Sequence, residues 1–256
     1  QKKFVREFKR RKAKVSFLRL FIFLALLTVW EISARYGLID EFIFSCPSAM
    51  AEAVVYMVKD YSLFYHIGIT TAETVAGFLL GTAIGTAAAV LLWWNRTASD
   101  VSQPYLVILN SLPKTALAPI IIVWLGNNTK SIILVALLTS VIITIMTVLG
   151  GFNGTDEDKI RLIKILGGTK RQILTNVVIP SNVPVIFNAL KINVGLSFVG
   201  VIVGEFLVGK ACLGYLIVYN SQIFKLTNVM VSVFVLAVMA AVMYKIVVFL
   251  ENKYIK

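Results

Sequence analysis

The chain has 256 residues, 58% hydrophobic and 15% charged, whereas a soluble domain carries about 25% charged residues. Its net charge of +12 is concentrated ahead of the first apolar run, with nine of the 25 Lys and Arg in the first 19 residues, which marks a membrane anchor and argues against a nucleic-acid face. One histidine, His66, and two cysteines, Cys46 and Cys212, fall in no CxxC or HxxxH spacing, so a metal centre and a Cys/His nucleophile are both poorly supported.

The pattern predicts an all-α integral membrane protein with about six spanning helices, because apolar runs long enough to cross a hydrocarbon core recur along the chain. A basic tail, 1–16, precedes a first span over 17–35. A more polar segment, 36–65, follows, with Pro47, Asp40, Glu41, Glu52, Lys59 and Asp60. The five-helix core occupies 66–250. Its first span, 66–94, ends on the interfacial pair Trp93-Trp94 and carries Gly77, Gly81 and Gly85 on one face, a stripe that lets a neighbouring helix approach closely.

After a short loop, 95–102, comes a span over 103–125 that Pro104, Pro113 and Pro119 are expected to interrupt. Spans over 131–150, 184–207 and 227–250 complete the core, with a short segment, 208–226, between the last two, and 251–256 is a polar tail. Alternate segments divide the loop cations into 17 on one side and five on the other, so both termini are expected in the cytoplasm.

The hydrophilic loop 151–183 falls on that cytoplasmic side. Asp156, Glu157 and Asp158 sit where a helix start favours negative charge. Ile160, Ile163, Ile165 and Leu166 form an apolar strip among Lys159, Arg161 and Lys164, Gly167-Gly168 read as a left-handed cap, and a second amphipathic piece over 169–179 is expected to stop at Pro180. Such a helix–turn–helix outside the bilayer fits either an amphipathic element resting on lipid or a docking element for a partner's groove.

At this point the sequence resembles a family. Gly167, nine residues and then Val177-Val178-Ile179-Pro180 resemble the cytoplasmic loop of binding-protein-dependent ABC importer permeases, which reads E-A-A, three residues, G, nine residues, I-x-L-P. Leu112 to Pro119 with Trp124-Leu125-Gly126, Val203 to Leu207, Leu213 to Ile217 and Gly77-Phe78 are similar to the nitrate, sulfonate and taurine branch, which also includes carriers of thiamine-related pyrimidines and riboflavin. Two departures stand out: the E-A-A triplet falls on Arg161, Leu162 and Ile163, and Cys212 replaces the usual glycine before Leu213.

The resemblance implies a type I importer permease of the bacterial inner membrane. It would work as one of two permease subunits, expected to be identical, with two ATP-binding subunits and an external binding protein. ATP and Mg would be bound by the partner ATPase, since the chain has no GxxxxGK[ST] sequence; it would hold no cofactor and have no catalytic site of its own. Lys159, Ile160, Arg161, Leu162, Ile163, Leu166, Gly167, Gly168 and Pro180 would form the coupling loop.

Ionisable residues inside spans are functional candidates, which singles out Glu73, Lys114 and Glu205 for the translocation path, with Glu73 and Lys114 expected to pair. His66 and Glu31 are expected to be structural and interfacial, and Cys46 and Cys212 share one side without any sign of being close. A secondary transporter or channel working without an ATPase is the alternative. It would favour two related halves, and the chain has no clear internal repeat.

Overall fold

A computed structural model describes residues 2–60 and 62–254, apart from the side chains of 2–9 and Lys12. Gln1, Tyr61, Ile255 and Lys256 lie outside the described residues, so part of the basic tail and the end of the 251–256 tail do too. Among the described residues every regular element is helical: α1 (Lys2–Arg35), α2 (Glu41–Phe44), α3 (Pro47–Lys59), α4 (Ser62–Trp94) and α5 (Arg96–Ser111) come first. A 3-10 turn (Lys114–Leu117) leads into α6 (Ala118–Leu125), then α7 (Thr129–Asn153), α8 (Glu157–Ile165) and α9 (Lys170–Ile173). A π turn (Leu174–Val178) joins α10 (Ile179–Ser181), α11 (Val183–Val208), α12 (Leu213–Gln222) and α13 (Leu226–Tyr254).

Five of these are long and apolar enough to cross a membrane, namely Ala13–Arg35 within α1, and α4, α7, α11 and α13; the α5–α6 pair, bent by 80°, makes the sixth. The broken span differs from expectation in where it breaks. Asn95 caps α5 by accepting from the Ala98 N–H (3.1 Å), so the expected loop 95–102 is helical. Pro104 removes one bond from the ladder and stays inside α5. The helix ends at Leu112, whose extended backbone (φ −67°, ψ 137°) is the conformation that a following proline imposes. Pro119 lies in the first turn of α6, where its missing N–H costs nothing.

The core is α7 held between α4 and α11. Gly77, Gly81 and Gly85 of α4 meet Ala136, Ser140 and Thr144 of α7, two rows of the same four-residue period. A methyl group at Gly77 would lie 2.6 Å from the Ala136 Cβ, and one at Gly200 of α11 would lie 2.5 Å from the Ala136 Cα. Ala136 is thus gripped from both sides, and the small-residue stripe serves close packing. Asn193 of α11 is fully buried and donates to Thr144 of α7 (2.7 Å) and Thr82 of α4 (3.0 Å), so one amide joins all three helices. A Lys191–Glu251 ion pair (2.9 Å) and the cluster of Phe78, Val194, Phe198 and Val247 attach α13.

At one end of this core, α2 and α3 pack against α13, and α3 also against α4. Glu31 of α1 accepts from the Ser48 N–H (3.0 Å) and hydroxyl (2.8 Å), placing a carboxylate at the start of α3. Met50, Met57, Leu63, Leu213 and Val231 pack α3 against α4, α12 and α13. The opposite end of α7 leads into α8. The α4–α5 junction shares that end through the Lys170–Trp94 bond, and the end of α13 pairs with α11 through Glu251 and Lys191.

Gly200→Ala will lower the midpoint of thermal aggregation of the detergent-purified chain, by about 1–3 kcal/mol of overpacking less the ~1 kcal/mol that alanine gains in a helix. Gly195→Ala, one helix but open space away, will leave it equal or higher. Equal losses in both variants would remove close approach as the cause.

Candidate functional site

The α8 end carries a built loop. Asp156 caps α8 by accepting from the Asp158 N–H (2.9 Å), and Glu157 and Asp158 fill the first turn. Gly167, at φ +77°, ends the helix: its N–H reaches the Lys164 carbonyl (3.0 Å) and the Gly168 N–H reaches that of Ile163 (2.8 Å), the paired bonds of a Schellman cap. A side chain at Gly168 would collide with Ile163, so both glycines are structural requirements. Thr169 and Gln172 then cap α9 reciprocally.

Two expectations about this loop are corrected, and its departure from the family pattern finds a local partner. The apolar strip is two faces: Ile160 and Ile163 are half-buried against Phe152, Ile173, Leu174 and Val178, while Leu162, Ile165 and Leu166 point outward, 57%, 83% and 73% exposed. Pro180 does not stop the second helix. The π turn and α10 carry the chain on to Ser181, and Asn182 makes the bend, donating to Thr155 (2.8 Å) and the Val178 carbonyl (2.8 Å). The cation at the usual glutamate position, Arg161, is satisfied inside its own helix by Glu157 (3.2 Å) and Asp158 (3.8 Å), both exposed, so this contact adds little stability.

Two fastenings were not expected. The Thr155–Asn182 bond closes the loop at its base, where α7 ends and α11 begins. Lys170 reaches back to the C-terminus of α4, donating to the Trp94 carbonyl (2.5 Å) with its ammonium 5.8 Å from the Trp93 ring and 5.7 Å from the Trp94 ring. The two tryptophans next to a loop lysine were the available signal. The Asn182 bend was masked by the prolines on either side of it.

At the far end, the ionisable residues fall differently from expectation. Lys114 does not pair with Glu73. It sits half-buried in the break between α5 and α6 and donates to the Asn110 side chain (2.9 Å) and carbonyl (3.3 Å) of its own segment. Glu73 instead lies against Glu205, and both are buried, at 3% and 1% exposure. Glu205 accepts from the Gly214 N–H (2.7 Å), and Thr70 accepts from the Leu213 N–H (3.0 Å), so α11 and α4 together hold the start of α12.

Above Glu73 opens a pocket of about 170 Å³ lined by Ile69, Asn128, Thr129, Val208 and Cys212. Burial, then the Glu205 charge, pushes the Cys212 thiol up to about 12, so it stays protonated. Cys212 also caps α12, its sulfur accepting from the Tyr215 N–H (3.4 Å), a role its glycine counterpart could not fill. Cys46 and Cys212 are both free and buried. His66 stacks on Tyr215, its ring centroid 6.4 Å away, and Tyr215 on Tyr219 at 5.7 Å.

Five apolar helices and a bent pair around a polar-fastened core, with a compact helical loop at one end, define a multi-pass membrane protein. The chain belongs to the binding-protein-dependent transport system inner membrane components, whose family pattern matches residues 81–253. It is a permease subunit of an ABC importer, in the inner membrane.

It is 29% identical over 231 residues to the formylaminopyrimidine transport permease protein ThiX of Halalkalibacterium halodurans, covering 90% of this chain and 91% of that one. It is 23% identical to the putative aliphatic sulfonates transport permease protein SsuC of Bacillus subtilis, over 90% and 84% of the two chains. With the nitrate import permease protein NrtB of a Synechocystis strain it shares 24% identity over 75% and 70%. Its fold is that of the solved MetNI methionine ABC transporter in its inward-facing conformations, with a TM-score of 0.65 at 18% identity, covering 77% of this chain and 97% of that one.

Gly167→Ala will expose the loop to limited proteolysis and cost about 1–2 kcal/mol, because alanine is strained in the left-handed region. Arg161→Gln will shift thermal stability by less than about 0.5 kcal/mol.

Proposed function

We propose that the α8 end is cytoplasmic and docks a partner ATPase through the outward face of α8. The observation that carries this is the exposed triad Leu162, Ile165 and Leu166, an i, i+3, i+4 apolar face on a helix whose other face is already seated on its own bundle. Lys159 and Arg161 rim that face, Gly167 and Gly168 fix its angle, and Pro180 with Asn182 returns the chain to the membrane. The cations of α1, α5, α8 and α9 support the same orientation.

In this reading two copies of the chain form the path. Two ATP-binding subunits, holding ATP and Mg, move α8 as a rigid body, and the Thr155–Asn182 and Lys170–Trp94 fastenings carry that motion to α7, α11 and α4. ATP hydrolysis belongs to the partner, and this chain supplies no catalytic group. An external binding protein delivers the solute at the α12 end. The likeness to ThiX over 90% of the chain supports a small nitrogenous ring of the thiamine-precursor type, ahead of a sulfonate or nitrate. Of the three path candidates, Lys114 at the membrane break is the one kept for the path, since Glu73 and Glu205 are buried and turned toward each other.

Leu162→Asp with Ile165→Asp will leave the chain folded but abolish co-purification of its ATPase. Ile163→Ala, which opens a gap in the chain's own core, will instead lower its thermal stability by about 2–4 kcal/mol. Retention of the ATPase by the double variant would sink the docking assignment.

A further inference from the structure

We infer that Glu73 and Glu205 share one proton, carried by Glu73 and donated to the Glu205 carboxylate, and that this bond fastens the turn between α11 and α12 to α4. The inference goes beyond the importer reading and rests on it only for its transport measurement. It starts from an anomaly. Each carboxyl group has one buried oxygen without any donor, Glu73 Oε2 and Glu205 Oε1, although the two side chains are in contact. Two ionised carboxylates offer only acceptors to each other, and in a buried site they repel. One proton between them turns two unsatisfied oxygens into a donor and an acceptor.

The surroundings decide which carboxyl group keeps it. Glu205 accepts from the Gly214 N–H (2.7 Å), and the Thr70 hydroxyl and the Cys212 thiol lie beside it. The Thr70 oxygen already accepts from Leu213, and the Cys212 sulfur from Tyr215, which frees the proton of each to point at Glu205. Leu213 and Gly214 are the first residues of α12, a ten-residue helix whose N-terminal amides favour a negative charge beside them. Among the described residues no backbone N–H donates to Glu73, which has the Thr129 hydroxyl beside it. The charge therefore sits on Glu205 and the proton on Glu73.

Ion pairs among the described residues engage neither carboxyl group, and the lysine that lines the pocket, Lys210, is exposed at its rim. The approach is tight as well. A side chain at Gly214 would lie 2.6 Å from the Glu205 Cβ, so the turn has no slack in which to swing the carboxylate away.

The test compares Glu73→Gln with Glu205→Gln in the purified transporter. Glutamine at 73 still donates an N–H to Glu205, so transport and substrate-stimulated ATPase should stay within about twofold. Glutamine at 205 moves the charge away from the α12 amides and turns donors against an amide, so transport should fall about tenfold or more and thermal stability with it. Infrared difference spectra in H₂O and D₂O give the second reading: the wild type should show a protonated-carboxyl C=O band, shifted by deuterium, that Glu73→Gln removes.

A band that survives Glu73→Gln, the absence of such a band in the wild type, or equal tolerance of both substitutions would overturn the inference. If Glu205→Gln yields no folded chain, the infrared comparison decides. A wild type that does not transport with its ATPase would refute the importer reading while leaving the infrared result to judge the carboxyl pair.

Discussion

The close approach of three helices at Ala136 sets the rest of the structure. In lipid, apolar surface gives no net drive for helices to associate, so contact must come from packing and from polar groups that find one another. Gly77 and Gly200 remove the side chains that would hold α4 and α11 away from α7, and the backbones meet over Ala136. Only at that separation can a single Asn193 amide reach hydroxyls on both other helices. The same separation brings Glu73 of α4 against Glu205 of α11.

Each end of α7 inherits its surroundings from this grip. Where it begins, Thr129 and Asn128 wall the pocket over the carboxyl pair. Where it ends, Thr155 meets Asn182 and closes the base of the projecting loop. The loop is therefore not a tether. Its inward face, Ile160 and Ile163, is part of the same packed cluster as Val148 and Phe152 of α7, so α8 cannot shift without disturbing α7. Rigid coupling between a surface helix and a membrane core has this form: one apolar face committed inward, the other available.

Much of this was legible in the residues. The four-residue spacing of Gly77, Gly81 and Gly85 announced a close helix contact, and Gly167-Gly168 marked the cap at the correct residues. The errors share a cause. An apolar strip on a short helix does not say which of its residues meets the protein's own core, so Ile163 and Leu162 could not be told apart. Prolines report a missing donor but not its surroundings: Pro104 and Pro180 are absorbed within helical segments, while Pro113 ends one by acting on Leu112. Lys114 and Glu73 carry opposite charges in neighbouring spans, yet their partners are fixed by helix rotation, which local sequence does not encode.

The Asn193 junction has a consequence for synthesis. Helices enter the membrane in chain order, and a lone amide or carboxyl group is costly to leave facing lipid. Thr82 and Glu73 arrive with α4 and Thr144 with α7, before α11 emerges bearing Asn193 and Glu205. The least apolar of the five spanning helices is thus delivered into a cleft where its partners already wait, with only α13 to follow.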